Sequence, residues 1–276
     1  MFQLTDALNR IKVWLNNNYP LMAESITPGL SPEDIQSIIE TLPFSLPEEV
    51  GELYQWSRGH YGEALNAVAF DPCEVMYHVS LEYAIELQSM LEDEDSDECV
   101  TKYINKPLFP LFDFNGTSFC SIGNWEDEKS SPIILVSPIN NIIITYTSLT
   151  NMMLTVAESF ESGVFRLNEK GYEEWNEKVF FSIYLKHNSD ILKVSVMRLK
   201  QELIIGKNND IFLEMTVRNF KDDIYYLLRK TQDFSTNKFR IEVLQPLITA
   251  MQDENEVVRN LSRQALEELN YNFEQD

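Results

Sequence analysis

Histidine and cysteine are scarce in this chain of 276 residues, with three of each. Cys73, Cys99 and Cys120 lie far apart, with no Cys-x-x-Cys pair and no even-numbered framework. Such sparse use fits a reducing compartment, where cysteine acts as a small hydrophobe. None of His60, His78 and His187 has a partner at metal-ligand spacing. A dinucleotide-binding glycine motif, a Walker loop, a His-Glu-x-x-His helix and a Gly-x-Ser-x-Gly elbow are all missing. No apolar run approaches the roughly 18 residues that a membrane-spanning helix needs. The opening Met1-Phe2-Gln3-Leu4-Thr5-Asp6 is neither basic nor an apolar signal segment. These absences point to a cytoplasmic protein without membrane attachment, with no expected cofactor or metal, and away from an enzyme.

Positive charge is the other deficit. Lys and Arg number 22 against 44 Asp and Glu, a net −22. Residues 1–168 hold 25 acidic and 7 basic side chains, a balance of −18; residues 169–276 hold 19 and 15, a balance of −4. A field of that sign repels phosphate backbones and anionic membranes and steers basic proteins inward. Nucleic-acid binding rests on Lys and Arg neutralising phosphates, so it is not expected here. A basic protein partner is. Solubility alone would account for a smaller excess, of about −8 in a domain.

Apolar residues at 44% and aromatics at 12% supply real cores. The length suits two domains. Leu4, Leu8, Ile11 and Leu15 recur at helical spacing beside Trp14. After Pro28-Gly29, Ser31 is placed to cap a helix whose first turn holds Pro32 and Asp34. Ser45-Leu46-Pro47-Glu48 has capping-box spacing for a third helix, which buries Val50, Leu53 and Tyr54 and ends at Gly59. Short β-branched or aromatic runs follow at 68–70, 75–77, 108–114, 118–122, 132–136 and 142–147. Asn115-Gly116 reads as a hairpin turn. Ser80 and Ser148 open two helices among the strands. The expected first unit is therefore α+β, a mostly antiparallel sheet flanked by helices. Past Gly163 the strand signals thin. Gly171 starts a helical period through Tyr172, Trp175, Val179 and Ile183, and four further helical stretches run to Leu269. The boundary is placed near residue 168, with an all-helical unit over 169–276.

Pro28-Gly29-Leu30-Ser31, Ile35, Ile38-Ile39, Leu42, Leu46-Pro47 and Leu53-Tyr54-Gln55-Trp56-Ser57-Arg58-Gly59 resemble the opening signature of the SUKH superfamily. Fungal cell-wall-assembly regulators and bacterial toxin-immunity proteins make up that group. The later order of strands, Ser80 helix, Phe109-Pro110-Leu111-Phe112, hairpin and Ser148 helix is similar as well, so the resemblance covers residues 1–165. Ser57-Arg58-Gly59 departs from the polar residue and Asn that commonly precede Gly in the family. Leu244 to Asp253 with Val258-Arg259 and Ala265-Leu266 looks like one HEAT repeat, best over 241–270, with Asp253 and Glu256 as the cap of its second helix. A lone repeat cannot bury both faces, so earlier helices must stack on it.

Three features are candidates for partner binding. Glu92, Asp93, Glu94, Asp95, Asp97 and Glu98 form an acidic loop, whose plain reading is a solvated helix terminus. Trp125 with Glu126, Asp127 and Glu128 places an aromatic in a second acidic patch, suited to an Arg- or Lys-rich partner. Trp56 is the third, with core packing under Gly59 as its structural alternative. The resemblance implies an immunity protein that blocks a cognate bacterial toxin, and the charge supplies a mechanism if that toxin is basic, such as a nuclease. A regulatory scaffold that recruits client proteins is the rival reading. A hydrolase would need a pocket of carboxylates with strongly shifted pKa values.

Overall fold

The computed structural model describes residues 3–60, 77–92, 104, 106–137, 142–167, 173–206, 210–230 and 240–269. The chain opens with four helices: α1 (Gln3–Asn18), α2 (Pro20–Glu24), α3 (Pro32–Ile39) and α4 (Glu48–Trp56). In α1, Leu4, Ala7, Leu8, Ile11 and Leu15 are buried along one stripe. Ser31 caps α3, its hydroxyl accepting from the Asp34 amide at 3.1 Å, and Pro32 fills the first position. The start of α4 differs from expectation. Ser45 does not cap it; its amide donates to Asn124 Oδ1 at 3.0 Å instead. The orphan amides of Glu48 and Glu49 donate to the carbonyls of Glu128 and Lys129, at 2.8 and 3.2 Å. Backbone acceptors from a distant loop satisfy the helix end, so it needs no side-chain cap. Gly59 follows α4 at φ +73.

Strands β1 (Tyr77–His78), β2 (Leu108–Phe114), β3 (Thr117–Ile122), β4 (Ile133–Val136) and β5 (Ile142–Tyr146) form one antiparallel sheet in sequence order. Asn115 and Gly116 take φ of 53° and 76°, the left-handed pair that a two-residue hairpin turn requires. Pro110 has no N–H to give to the ladder, and the β2–β3 register shifts between Pro110 and Phe112. All four residues of β4 are buried, which requires cover on both faces. Cys120 in β3 is buried too, as a small core residue. Helices α5 (Leu81–Glu92) and α6 (Leu149–Glu161) start where Ser80 and Ser148 accept from the amides of Tyr83 and Asn151. A mixed α and β architecture with an antiparallel sheet is therefore present. The expected strand at 68–70 and most of that at 75–77 lie outside the described residues, as do Cys73 and Cys99.

The helical period expected from Gly171 starts later. Glu173–Trp175 is strand β7, paired with β6 (Phe165–Leu167), and Trp175 thus belongs to a hairpin. Asn176 then caps the next helix, accepting from the Val179 amide at 3.3 Å. That helix is α7 (Glu177–His187), followed by α8 (Ile191–Ile205), α9 (Asp210–Lys230), α10 (Arg240–Ala250) and α11 (Glu256–Glu268). The cap of α11 is Asn255, accepting from the Val257 amide at 2.9 Å; Asp253 in turn accepts from the Asn255 amide. The cap expected at Asp253 is displaced by two residues to Asn255, whose backbone is extended as a cap requires.

These helices do not stand apart from the sheet. Outer groups of β5 and the residue beyond it are taken by their side chains. Arg198 donates to the Ile142 carbonyl at 3.4 Å and Asp223 accepts from the Ile144 amide at 2.9 Å. The Tyr184 hydroxyl donates to the Thr145 carbonyl at 2.6 Å, and Asn188 accepts from the Thr147 amide at 3.0 Å. An edge strand left open is a template for unwanted pairing. Here the hydrophobic core runs on from the sheet into α7, α8 and α9.

Candidate functional site

Three helix N-termini converge beside one groove. It has a volume of about 860 Å³ and is lined by Thr5 of α1, by Glu48, Glu49, Glu52, Gln55 and Trp56 of α4, by Lys129 and Ser130, and by Thr150 of α6. The convergence explains two of the carboxylates. Glu52 Oε1 accepts from the Thr5 amide at 2.8 Å, at the positive end of α1. Glu49 is buried, and its oxygens accept from the amides of Ser131, Leu149 and Thr150 and from the Thr150 hydroxyl, at 3.0–3.1 Å. Burial pushes the Glu49 carboxyl up to about 6, and those donors pull against it. Glu49 is thus a buried pin that joins α4, the 131 loop and the start of α6.

Glu48 is different, because its side chain is exposed. Its amide reaches the Glu128 carbonyl, which sets it next to the loop carrying Glu126, Asp127 and Glu128, all exposed. Glu48 lines the groove, the exposed carboxylates of 126–128 lie in the adjoining loop, and Lys129 is the one cation among the lining residues. Within the first half, Glu24, Glu33, Asp34, Glu40 and Glu82 are likewise exposed. Among the described residues, these exposed carboxylates are not cancelled by ion pairs. An uncancelled surface of one sign projects a field into solvent and concentrates cations near the groove.

Trp56 lines the groove, half-buried against the core, with Nε1 donating to Asn9 Oδ1 at 3.2 Å. Trp125 is placed differently from the exposed, carboxylate-ringed aromatic anticipated: it is half-buried and packs against the core. Glu126 accepts from Gln201 Nε2 of α8 at 2.6 Å. Asp127 closes its own turn, accepting from the Lys129 amide and the Ser130 hydroxyl. The groove thus takes in Trp56 at the end of α4 together with Lys129 and Ser130, which follow the 126–128 loop, and Trp125 packs against the core. Glu92 is half-buried at the end of α5. Asp93, Glu94, Asp95, Asp97 and Glu98 lie outside the described residues.

Sequence reasoning passed over Glu48, Glu49 and Glu52. The spacing of Glu48, Glu52 and Trp56 on one face of α4 was the available signal. Nothing local distinguishes Glu49, whose partners are all far along the chain. The histidines sit in ordinary places. His78 is buried against Tyr54 and Phe112, with ring centroids at 5.0 and 5.5 Å, and burial pushes it down to about 3, so it stays neutral. His187 meets Glu158 at 2.7 Å, and His60 forms a bridge to Val79. Among the described residues no group of three His, Cys, Asp or Glu is placed to hold a metal ion, and no helix is long and apolar enough to cross a membrane. The chain matches no protein-family model and no curated protein.

Proposed function

We propose that this protein is a non-enzymatic binding module of the SUKH type, acting in the cytoplasm as an immunity protein that occupies a basic toxin domain such as a nuclease. The observation that carries the reading is the cluster of exposed carboxylates, Glu48 with Glu126 to Glu128, that makes no ion pair among the described residues and lies beside a groove that offers Trp56. Carboxylates of this kind speed the approach of a cationic protein, and an aromatic at the groove wall adds contact area and a surface for guanidinium stacking. The resemblance in residues 28–59 supports the immunity class independently of the charge.

The test is affinity capture from the native cell at low salt, with mass spectrometry of what co-elutes. A basic partner retained by the wild type, released by salt and lost from a Glu48→Gln, Asp127→Asn, Glu128→Gln variant is the expected result. A neutral or acidic partner whose retention ignores those changes would overturn the reading.

A scaffold that recruits client proteins is the second reading, and α10 and α11 favour it. Helices α7 to α9 already cover β5, whereas α10 and α11 stack on α8 beyond that need. A client retained by the full chain but lost when exposed α11 residues Arg263 and Glu267 are reversed in charge would support it.

A further inference from the structure

Arg198, Glu202 and Asp223 are each at most 4% exposed and lie together where α8 and α9 meet β5. Arg198 is fully engaged elsewhere: Nη2 donates to Asp223 Oδ2 at 3.0 Å and Nη1 to the Ile142 carbonyl at 3.4 Å. Only its Nε faces Glu202, at 3.9 Å, which is too long for a hydrogen bond. Neither oxygen of Glu202 has a hydrogen-bond partner, and the Thr216 hydroxyl faces it without closing one. One cation thus serves two buried carboxylates, and Glu202 is the one left out. A buried charge in that position is costly, and a carboxyl answers by binding a proton.

We propose that Glu202 is the proton-carrying part of a latch that fastens α8 and α9 to the edge of β5, holding the edge shut when protonated and letting it open more often when ionised. The connection is short. Asp223 holds the Ile144 amide and Arg198 the Ile142 carbonyl, and a second negative charge beside Arg198 competes for the guanidinium that keeps both in place.

The surroundings leave few other titrating groups. On α9, Asp222 is half-buried with Arg218 Nε at 3.8 Å. Tyr184 of α7 is committed to the Thr145 carbonyl. The described side chains of α10, 243–250, include no ionisable group, and α11 turns Val258, Leu261, Ser262 and Ala265 inward while Arg263, Glu267 and Glu268 are exposed. Lys200 of α8 pairs with Asp253. Burial pushes Glu202 up to about 7. Asp223 is raised as well, to about 6, but it keeps the Arg198 and Ile144 donors, so Glu202 is the first of the two to take up a proton. Because the raised group holds a proton in the closed state that the open state releases, closure is strongest at acid pH and weakens as pH rises through about 7.

Hydrogen exchange of the intact protein at pH 6 and pH 8, corrected for intrinsic rates, tests this. A closed-state carboxyl that titrates near 7, against an ordinary open-state value, makes the Ile144 opening constant rise about tenfold between those pH values. The Ile11 amide in α1 should hold its protection, and Glu202→Gln should abolish the Ile144 response. An unchanged response in Glu202→Gln, or equal responses at Ile144 and Ile11, overturns the latch. If Glu202→Gln does not fold, carbon-13 titration of the Glu202 carboxyl in the wild type decides. A midpoint near 7 supports the proposal, and one in the usual carboxylate range ends it.

Discussion

The Glu48 amide donates to the Glu128 carbonyl at 2.8 Å, and this one bond sets the start of α4 against the acidic 126–128 loop. Two segments far apart in the chain become one negative border to the groove that holds Trp56. The pairing is made by backbone, so the side chains of both residues stay exposed and available.

Neutralising that border should change association more than stability. Replacing Glu48, Asp127 and Glu128 by their amides is expected to slow association with a basic partner by about tenfold at low ionic strength, with the rates converging in high salt. Stopped-flow binding across a salt series checks it. An unchanged thermal midpoint shows that the fold is intact.

Glu49 should behave as a structural pin. Glu49→Ala leaves the buried amides of Ser131 and Leu149 and the half-buried amide of Thr150 without acceptors, at a cost of about 3 kcal/mol or more in urea denaturation. The native carboxyl titrates near 6, above its ordinary value of 4.5, so the folded protein binds more proton between these values than the unfolded chain. Its contribution is fully present below that window and is lost as pH rises through about 6. Glu49→Gln should flatten this part of the stability–pH curve.

Two glycines, one within α4 and one just after it, should respond in opposite directions. A Cβ on Gly59 would sit 2.2 Å from the Val79 carbonyl oxygen, at φ +73, so Gly59→Ala should destabilise by about 2–4 kcal/mol. Around Gly51, inside α4, nothing lies within 4 Å of the added carbon. Gly51→Ala should stabilise by about 0.5–1 kcal/mol through helix propensity and a less free unfolded chain. Thermal unfolding of the two variants separates them.

The cover of β5 gives a graded pair. Tyr184→Phe removes the donor to the Thr145 carbonyl and should cost about 1 kcal/mol. Asn188→Ala deprives the Thr147 amide and its own buried neighbours of partners, so the loss should be larger, about 2–3 kcal/mol. Equal losses in urea denaturation would contradict this ranking.

Local patterns were readable wherever chemistry and structure share a short span. Leu4, Leu8, Ile11 and Leu15 announce α1, Ser31 with Pro32 announces α3, and Asn115-Gly116 announces the β2–β3 turn, because spacing, capping and left-handed backbone are properties of a few adjacent residues. Trp175 and Ser45 misled for the same reason. Trp175 fits a helical period until β6 claims its backbone, and Ser45 has cap spacing until the Glu128 and Lys129 carbonyls fill the role.

What the amino-acid order settled without help is the sign of the charge, its concentration in the first 168 residues, and the type of most elements, since these follow from composition and from periods of two or 3.6 residues. Only the folded chain decided that Glu49 and Glu202 are buried while Glu48 is exposed, that Trp56 lines a groove while Trp125 packs half-buried against the core, and that α7 to α9 close the edge of β5. The reason is distance. A glutamate's burial depends on which amides and which guanidinium arrive beside it, and those come from segments that meet only when the core forms.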